Sequence, residues 1–158
     1  MTSFLLYCVL GYIALAVQAV FFKGIKPDFI LVLICVYSVK YGYAKGVAYG
    51  ALNGLIIDTA SGFILGPNII SKAVIGFIAR SIRENIFNWN IVVNTVVVAV
   101  LTVLDIFIVY MCHKTFSGIL FDNRPWTVPV LETVITAAAS LLMYGLLSPE
   151  KDGSGNIQ

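Results

Sequence analysis

The stretch Ile91–Cys112 carries one charged side chain, Asp105, in a run otherwise made of Val, Ile, Leu, Phe and a few small polar residues. Roughly 20 apolar residues cross the hydrocarbon core of a bilayer, so this stretch reads as a membrane-spanning helix. The rest of the 158-residue chain is built for the same solvent: 59% of its residues are hydrophobic, 11% are charged, and the mean hydropathy is +0.94. A soluble domain of this size needs far more charged surface. The aqueous segments are short, which leaves no room for a separate soluble domain.

Further apolar segments follow the same logic. Phe4–Phe22 is long enough to span, and without a basic region ahead of it we read it as an uncleaved helix rather than a signal peptide. Phe29–Val39 is short for a span, although Ile25–Tyr41 makes one with Lys26 and Lys40 snorkelling at its ends. A third helix is expected over Ala44–Ser61, and Gly66-Pro67 marks a turn. A fourth runs from Ile69 to Ile82, closed by Arg80, Arg83, Glu84 and Asn85, and a sixth from Val128 to Leu147. The expectation is an all-α, six-transmembrane-helix bundle over residues 1–147. Residues 148–158 form a polar tail, expected to be disordered.

An even number of spans puts both termini on one side. With the termini cytoplasmic, Lys40, Lys45, Arg80, Arg83 and Lys151 lie inside and Lys23, Lys26, Lys114 and Arg124 outside. That is a slight positive-inside bias. Trp89, Trp126 and the Tyr41/Tyr43 pair sit where an aromatic belt belongs.

Gly46, Gly50 and Gly54 form a GxxxGxxxG series, whose small residues let two helix backbones approach closely. The crossing partner is either another helix of this bundle or another protein. Asp58 continues the spacing. It flanks the turn opposite Lys72, so the two could pair, as a structural ion pair or around a ligand. Asp105, deeper still, is expected to bond Asn94, Thr102 or Asn53. Two deep carboxylates are too few for a transport relay.

Positive signs of catalysis are lacking. No Walker loop, GxSxG, HExxH or paired catalytic carboxylates occur, so no enzyme and no cofactor is expected. Cys8, Cys35 and Cys112 read as buried hydrophobes, and His113 stands alone, so no metal site is expected. The net charge of +2, with no basic run, excludes nucleic acid as a partner class.

From about Lys26 to Phe87 the chain resembles the rod shape-determining protein MreD family of bacteria. The resemblance rests on Lys26-Pro27-Asp28-Phe29, Lys40-Tyr41-Gly42, the Gly-rich helix ending Asp58-Thr59-Ala60-Ser61-Gly62, Leu65-Gly66, and Ala73 to Arg83 with Gly76. Asp58, Ser61, Gly62 and Gly66 are its sharpest part, and Asp105 falls where the family often has an acidic residue.

The resemblance implies a non-catalytic scaffold of the cell-elongation (rod) machinery in the bacterial cytoplasmic membrane. It implies binding to an MreC-like single-span protein and, through it, to an MreB-like filament, a RodA-like glycosyltransferase and a class B penicillin-binding transpeptidase. Arg80 and Arg83 would then face the filament or lipid headgroups, and homodimerisation stays open. The family fold is similar to the S component of energy-coupling factor vitamin transporters, which supplies an alternative function. A vitamin binder would need a pocket, with Asp58, Asn53, Asn68, Asp122 and Trp126 as candidate lining, and a small-residue docking face, for which Gly11, Ala14 and Ala19 are candidates. A dry interior would favour the scaffold, and a hydrated cavity of several hundred Å3 would favour the binder.

Overall fold

A computed structural model describes residues 2–21, 27–62, 65–86, 90–117 and 127–147. Those residues form six helices: α1 (Thr2–Phe21), α2 (Phe29–Tyr41), α3 (Tyr43–Ser61), α4 (Pro67–Asn85), α5 (Ile91–Ser117) and α6 (Thr127–Leu147). Among the described residues there is no strand. The polar tail, Lys23 and Lys26, the belt candidates Trp89 and Trp126, and the loop residues Asp122 and Arg124 lie outside the described residues.

The bundle is built around α2. Ile30 to Cys35 are buried without interruption, followed by Tyr37 and Ser38. A helix that is apolar all round has no solvent face to offer, so it takes a central position. Every other helix packs on it. At about 1.5 Å per residue, its 13 residues reach about 20 Å against a hydrocarbon core of about 30 Å.

Outside this post the polarity is inverted. Along α5, Val92, Val96, Val100, Val103 and Phe107 point outward at helical spacing while Asn94, Thr102 and Asp105 are buried. On α1, Leu5, Leu6, Val9, Tyr12 and Val20 are exposed in the same way. Apolar outside with polar inside is the pattern demanded by lipid. Ile91–Phe116 alone is long and apolar enough by itself to cross a membrane, among the described residues. Phe4–Val20, Phe29–Tyr41 and Thr127–Leu142 are shorter apolar helices.

The closest packing joins α3 to α4 and both to α2. A Cβ on Gly50 would lie 2.2 Å from the Lys72 carbonyl oxygen, and one on Gly54 2.4 Å from that of Asn68. A Cβ on Gly76 would lie 2.5 Å from the Gly46 carbonyl oxygen, and one on Gly46 2.3 Å from Ser38 Oγ. Ser38 closes the three-helix crossing by donating to the Gly76 carbonyl. Each of these close approaches is made within this chain. Gly11 likewise faces Asn53 and Tyr49 of α3, and Ala14 packs against the core, so this side of α1 is turned inward.

Candidate functional site

Asp58 is 2% exposed, and its carboxylate accepts four hydrogen bonds across the α3–α4 turn. The donors are Gly66 N–H at 2.8 Å, Asn68 N–H at 3.2 Å, Asn68 Nδ2 at 2.7 Å and Ile69 N–H at 3.2 Å. Helix N-termini present unpaired N–H groups and a partial positive charge, which an acceptor carboxylate complements. Gly66, at the α4 N-cap position, has no side chain to do this, so Asp58 caps α4 from the preceding helix. The turn itself needs φ of +68° at Gly62 and +131° at Gly66, conformations open to glycine and strained for other residues. Ser61 Oγ and Gly62 N–H close the end of α3 on the Asp58 carbonyl. The motif Asp58, Ser61, Gly62, Gly66 is thus a hairpin lock.

The expected Asp58–Lys72 pair does not form. Similar distance from the turn sets similar depth but not direction around the helix axis, and Lys72 points the other way. Its ammonium, 1% exposed, donates to Asp28 and, at 2.9 Å, to Asp105. Asp105 also accepts from Ser71 Oγ at 2.5 Å, rather than bonding Asn94, Thr102 or Asn53. Thr102 Oγ1 and Asn53 Nδ2 instead donate to carbonyls of their own helices.

Asp28 is the residue that sequence reasoning placed in a motif without giving it chemistry. It caps α2 by accepting Leu31 N–H at 2.8 Å, and its own N–H donates to Thr136 Oγ1 of α6 at 2.9 Å. Gln18 of α1 donates to the Pro27 carbonyl just before it. The Pro-Asp pair preceding an apolar run was the visible N-cap signature. Asp28, Lys72, Asp105 and Thr136 therefore tie α2, α4, α5 and α6 together inside the bundle.

Above this ionic cluster lies a cleft of about 360 Å3. Its floor is Pro27-Asp28, where the short α2 begins. Gln18 and Ala19 of α1, Ser61 of α3, Asn68 of α4, Asp105 of α5 and Glu132 of α6 form its walls. A cavity of this size falls within the range of small-ligand sites. Its volume is of the order asked of the vitamin-binder alternative. The pocket residues anticipated for that reading coincide with it only at Asn68: Asp58 and Asn53 do not line it, and Asp122 and Trp126 lie outside the described residues.

The opposite end of the bundle is more basic. Arg80 donates to the Val39 carbonyl at 2.7 Å, closing the end of α2, and pairs with Glu84 at 2.9 Å. Tyr43 donates to the other Glu84 oxygen at 2.6 Å. Lys40 and Lys45 each lie within 6 Å of the Tyr41 ring centre, at 5.6 and 5.9 Å. Tyr41 in turn stacks on Tyr37. Arg80 thus has internal partners, and Arg83 reaches the Ile86 carbonyl at 3.5 Å.

A family model described as rod shape-determining protein MreD matches residues 1–149. No curated protein and no solved structure matches the chain.

Proposed function

Because this chain belongs to the MreD family of rod shape-determining membrane proteins, we propose that it acts as a non-catalytic scaffold of the cell-elongation complex. It spans the membrane six times with both termini cytoplasmic, binds an MreC-like single-span partner, and supports peptidoglycan synthesis through that contact. The observation that carries this reading is where the bundle is closed and where it is open. The glycine surfaces of α3 and α4 are occupied internally. No buried side-chain polar atom lacks a hydrogen-bond partner among the described residues. Open to recognition are the apolar outer faces and the cleft, where α1, α3, α4, α5 and α6 converge on the Pro27-Asp28 lead-in to α2.

With the termini inside, the cleft end of the bundle is extracytoplasmic and the Arg80–Glu84 end cytoplasmic. A single-span partner would lie against the apolar outer faces and place the segment just outside the membrane over the cleft. The MreB-like filament, the RodA-like glycosyltransferase and the class B transpeptidase would join through that partner. The internal hydrogen bonds of Arg80 leave Lys40 and Lys45 as the cytoplasmic side chains better placed for lipid headgroups.

The test is complementation in a rod-shaped host depleted of its own copy. The chain is expected to restore rod shape, and a version with the cleft floor disrupted at Asp28 is expected to leave the cells round. Restored rods with both versions would remove the cleft from the account.

The size of the cleft supports a second reading, capture of a small molecule in the manner of a vitamin-transporter S component. A small molecule that copurifies stoichiometrically, and whose uptake depends on the chain, would favour it.

A further inference from the structure

The turn between α2 and α3, at the end of the bundle opposite the cleft, sets two ammonium groups over one aromatic ring. Lys40 lies in the last turn of α2 and Lys45 in the first turn of α3. Their Nζ atoms stand 5.6 and 5.9 Å from the centre of the Tyr41 ring. The ring is held by its neighbours, with Tyr37 at 4.6 Å and Tyr7 at 6.0 Å, centre to centre. Both lysines are exposed.

Neither ammonium pairs with a carboxylate among the described residues. The first turn of α3 carries no acidic residue. Glu84, on the neighbouring end of α4, has one oxygen committed to Arg80 and the other to Tyr43. The tail that follows α6 adds Glu150, Lys151 and Asp152. With the tail counted in full, the basic side chains of this end are Lys40, Lys45, Arg80, Arg83 and Lys151, against Glu84, Glu150 and Asp152. The excess is positive.

Two like charges held at one ring repel each other, and an anion placed between them relieves that repulsion. Beside the same turn Tyr43 stacks on Phe77, which is 52% exposed, so apolar surface adjoins the cationic pair. Cations at the edge of an apolar surface suit a molecule that carries a phosphate on acyl chains. Basic pockets between transmembrane helices take anionic lipid headgroups in this way.

We propose that the α2–α3 turn binds the phosphate of one anionic phospholipid across Lys40 and Lys45, over the Tyr41 ring. In the orientation of the scaffold reading, with the termini inside, this is a lipid of the cytoplasmic leaflet, and that placement rests on the scaffold reading.

The experiment is native mass spectrometry of the full chain in mild detergent, titrated with phosphatidylglycerol, which is anionic, or phosphatidylcholine, which is zwitterionic. The parent is expected to take up one phosphatidylglycerol about tenfold more tightly than one phosphatidylcholine. Replacing both lysines, Lys40→Gln with Lys45→Gln, should abolish that preference, and Lys40→Arg with Lys45→Arg should keep it. Lys114→Gln, at the other end of the bundle, should leave it unchanged. Equal affinity of the parent for the two lipids, a preference that survives the loss of both lysines, or an equal loss in Lys114→Gln overturns the proposal. Displacement of the lipid by inorganic phosphate at comparable concentration also overturns it, since the turn would then be a site for a free anion. The titration contains no partner, so its failure leaves the scaffold reading standing, and failure of the chain to recover a partner leaves the lipid site standing.

Discussion

The carboxylate of Asp58, at the end of α3, accepts the backbone N–H of Gly66 at 2.8 Å, eight residues further along the chain and at the start of the next helix. With Asn68 and Ile69 as further donors, this one side chain sets the geometry of the α3–α4 hairpin. That hairpin carries Lys72 to the ionic cluster, so the lock and the cleft are mechanically linked.

Replacing Asp58 with Ala leaves those N–H groups buried and without their acceptor. The loss should be about 2–4 kcal/mol, from an unpaired helix cap in a buried setting. Thr59, next to it, is exposed and bonds only to carbonyls of its own helix. Thr59→Ala is therefore expected to stay within about 0.5 kcal/mol of the parent. Thermal unfolding of the detergent-purified proteins compares the two; equal tolerance would contradict the capping role.

Gly50→Ala places a methyl group 2.2 Å from a backbone oxygen, and neither helix can yield without separating. Gly11→Ala meets the Asn53 side chain at 2.5 Å, and that side chain, unlike backbone, can be shortened by mutation. We expect Gly50→Ala to cost about 3 kcal/mol or to prevent folding, as overpacking against backbone does. Gly11→Ala should cost less and be largely rescued by Asn53→Ala. The melting temperatures of the two single variants and the double variant decide this.

Lys72→Met leaves Asp28 and Asp105 facing each other without a counterion, at an expected cost of about 3–5 kcal/mol. Adding Asp105→Asn to Lys72→Met should recover part of that loss, because it removes one of the stranded charges. A double-mutant cycle in urea or by thermal melting reads the coupling, expected at about 1–3 kcal/mol. Strict additivity would mean that the cluster is not a unit.

Helix positions were largely legible because apolar runs and turn glycines mark them directly. The fourth helix begins at Pro67 rather than Ile69, since proline at the first helical position needs no N–H partner there. The fifth runs on to Ser117, past Cys112, through His113 and Lys114. Direction around each axis was much less legible. Lys72 meets partners 44 and 33 residues away in sequence, and no local pattern indicates them. The glycine series announced a tight crossing, but only the folded chain shows that α4 is the helix it receives at Gly50 and Gly54. The N-cap role of Asp28 was legible from Pro27-Asp28 ahead of an apolar run, but its contact with Lys72, 44 residues away, was not.

The most direct test is recovery of the tagged chain from its native host in mild detergent, with the bound proteins identified by mass spectrometry. The account predicts an MreC-like single-span protein as the main partner, accompanied by elongation synthases. Recovery of a transmembrane coupling subunit with its ATPases would contradict it and assign the cleft to uptake.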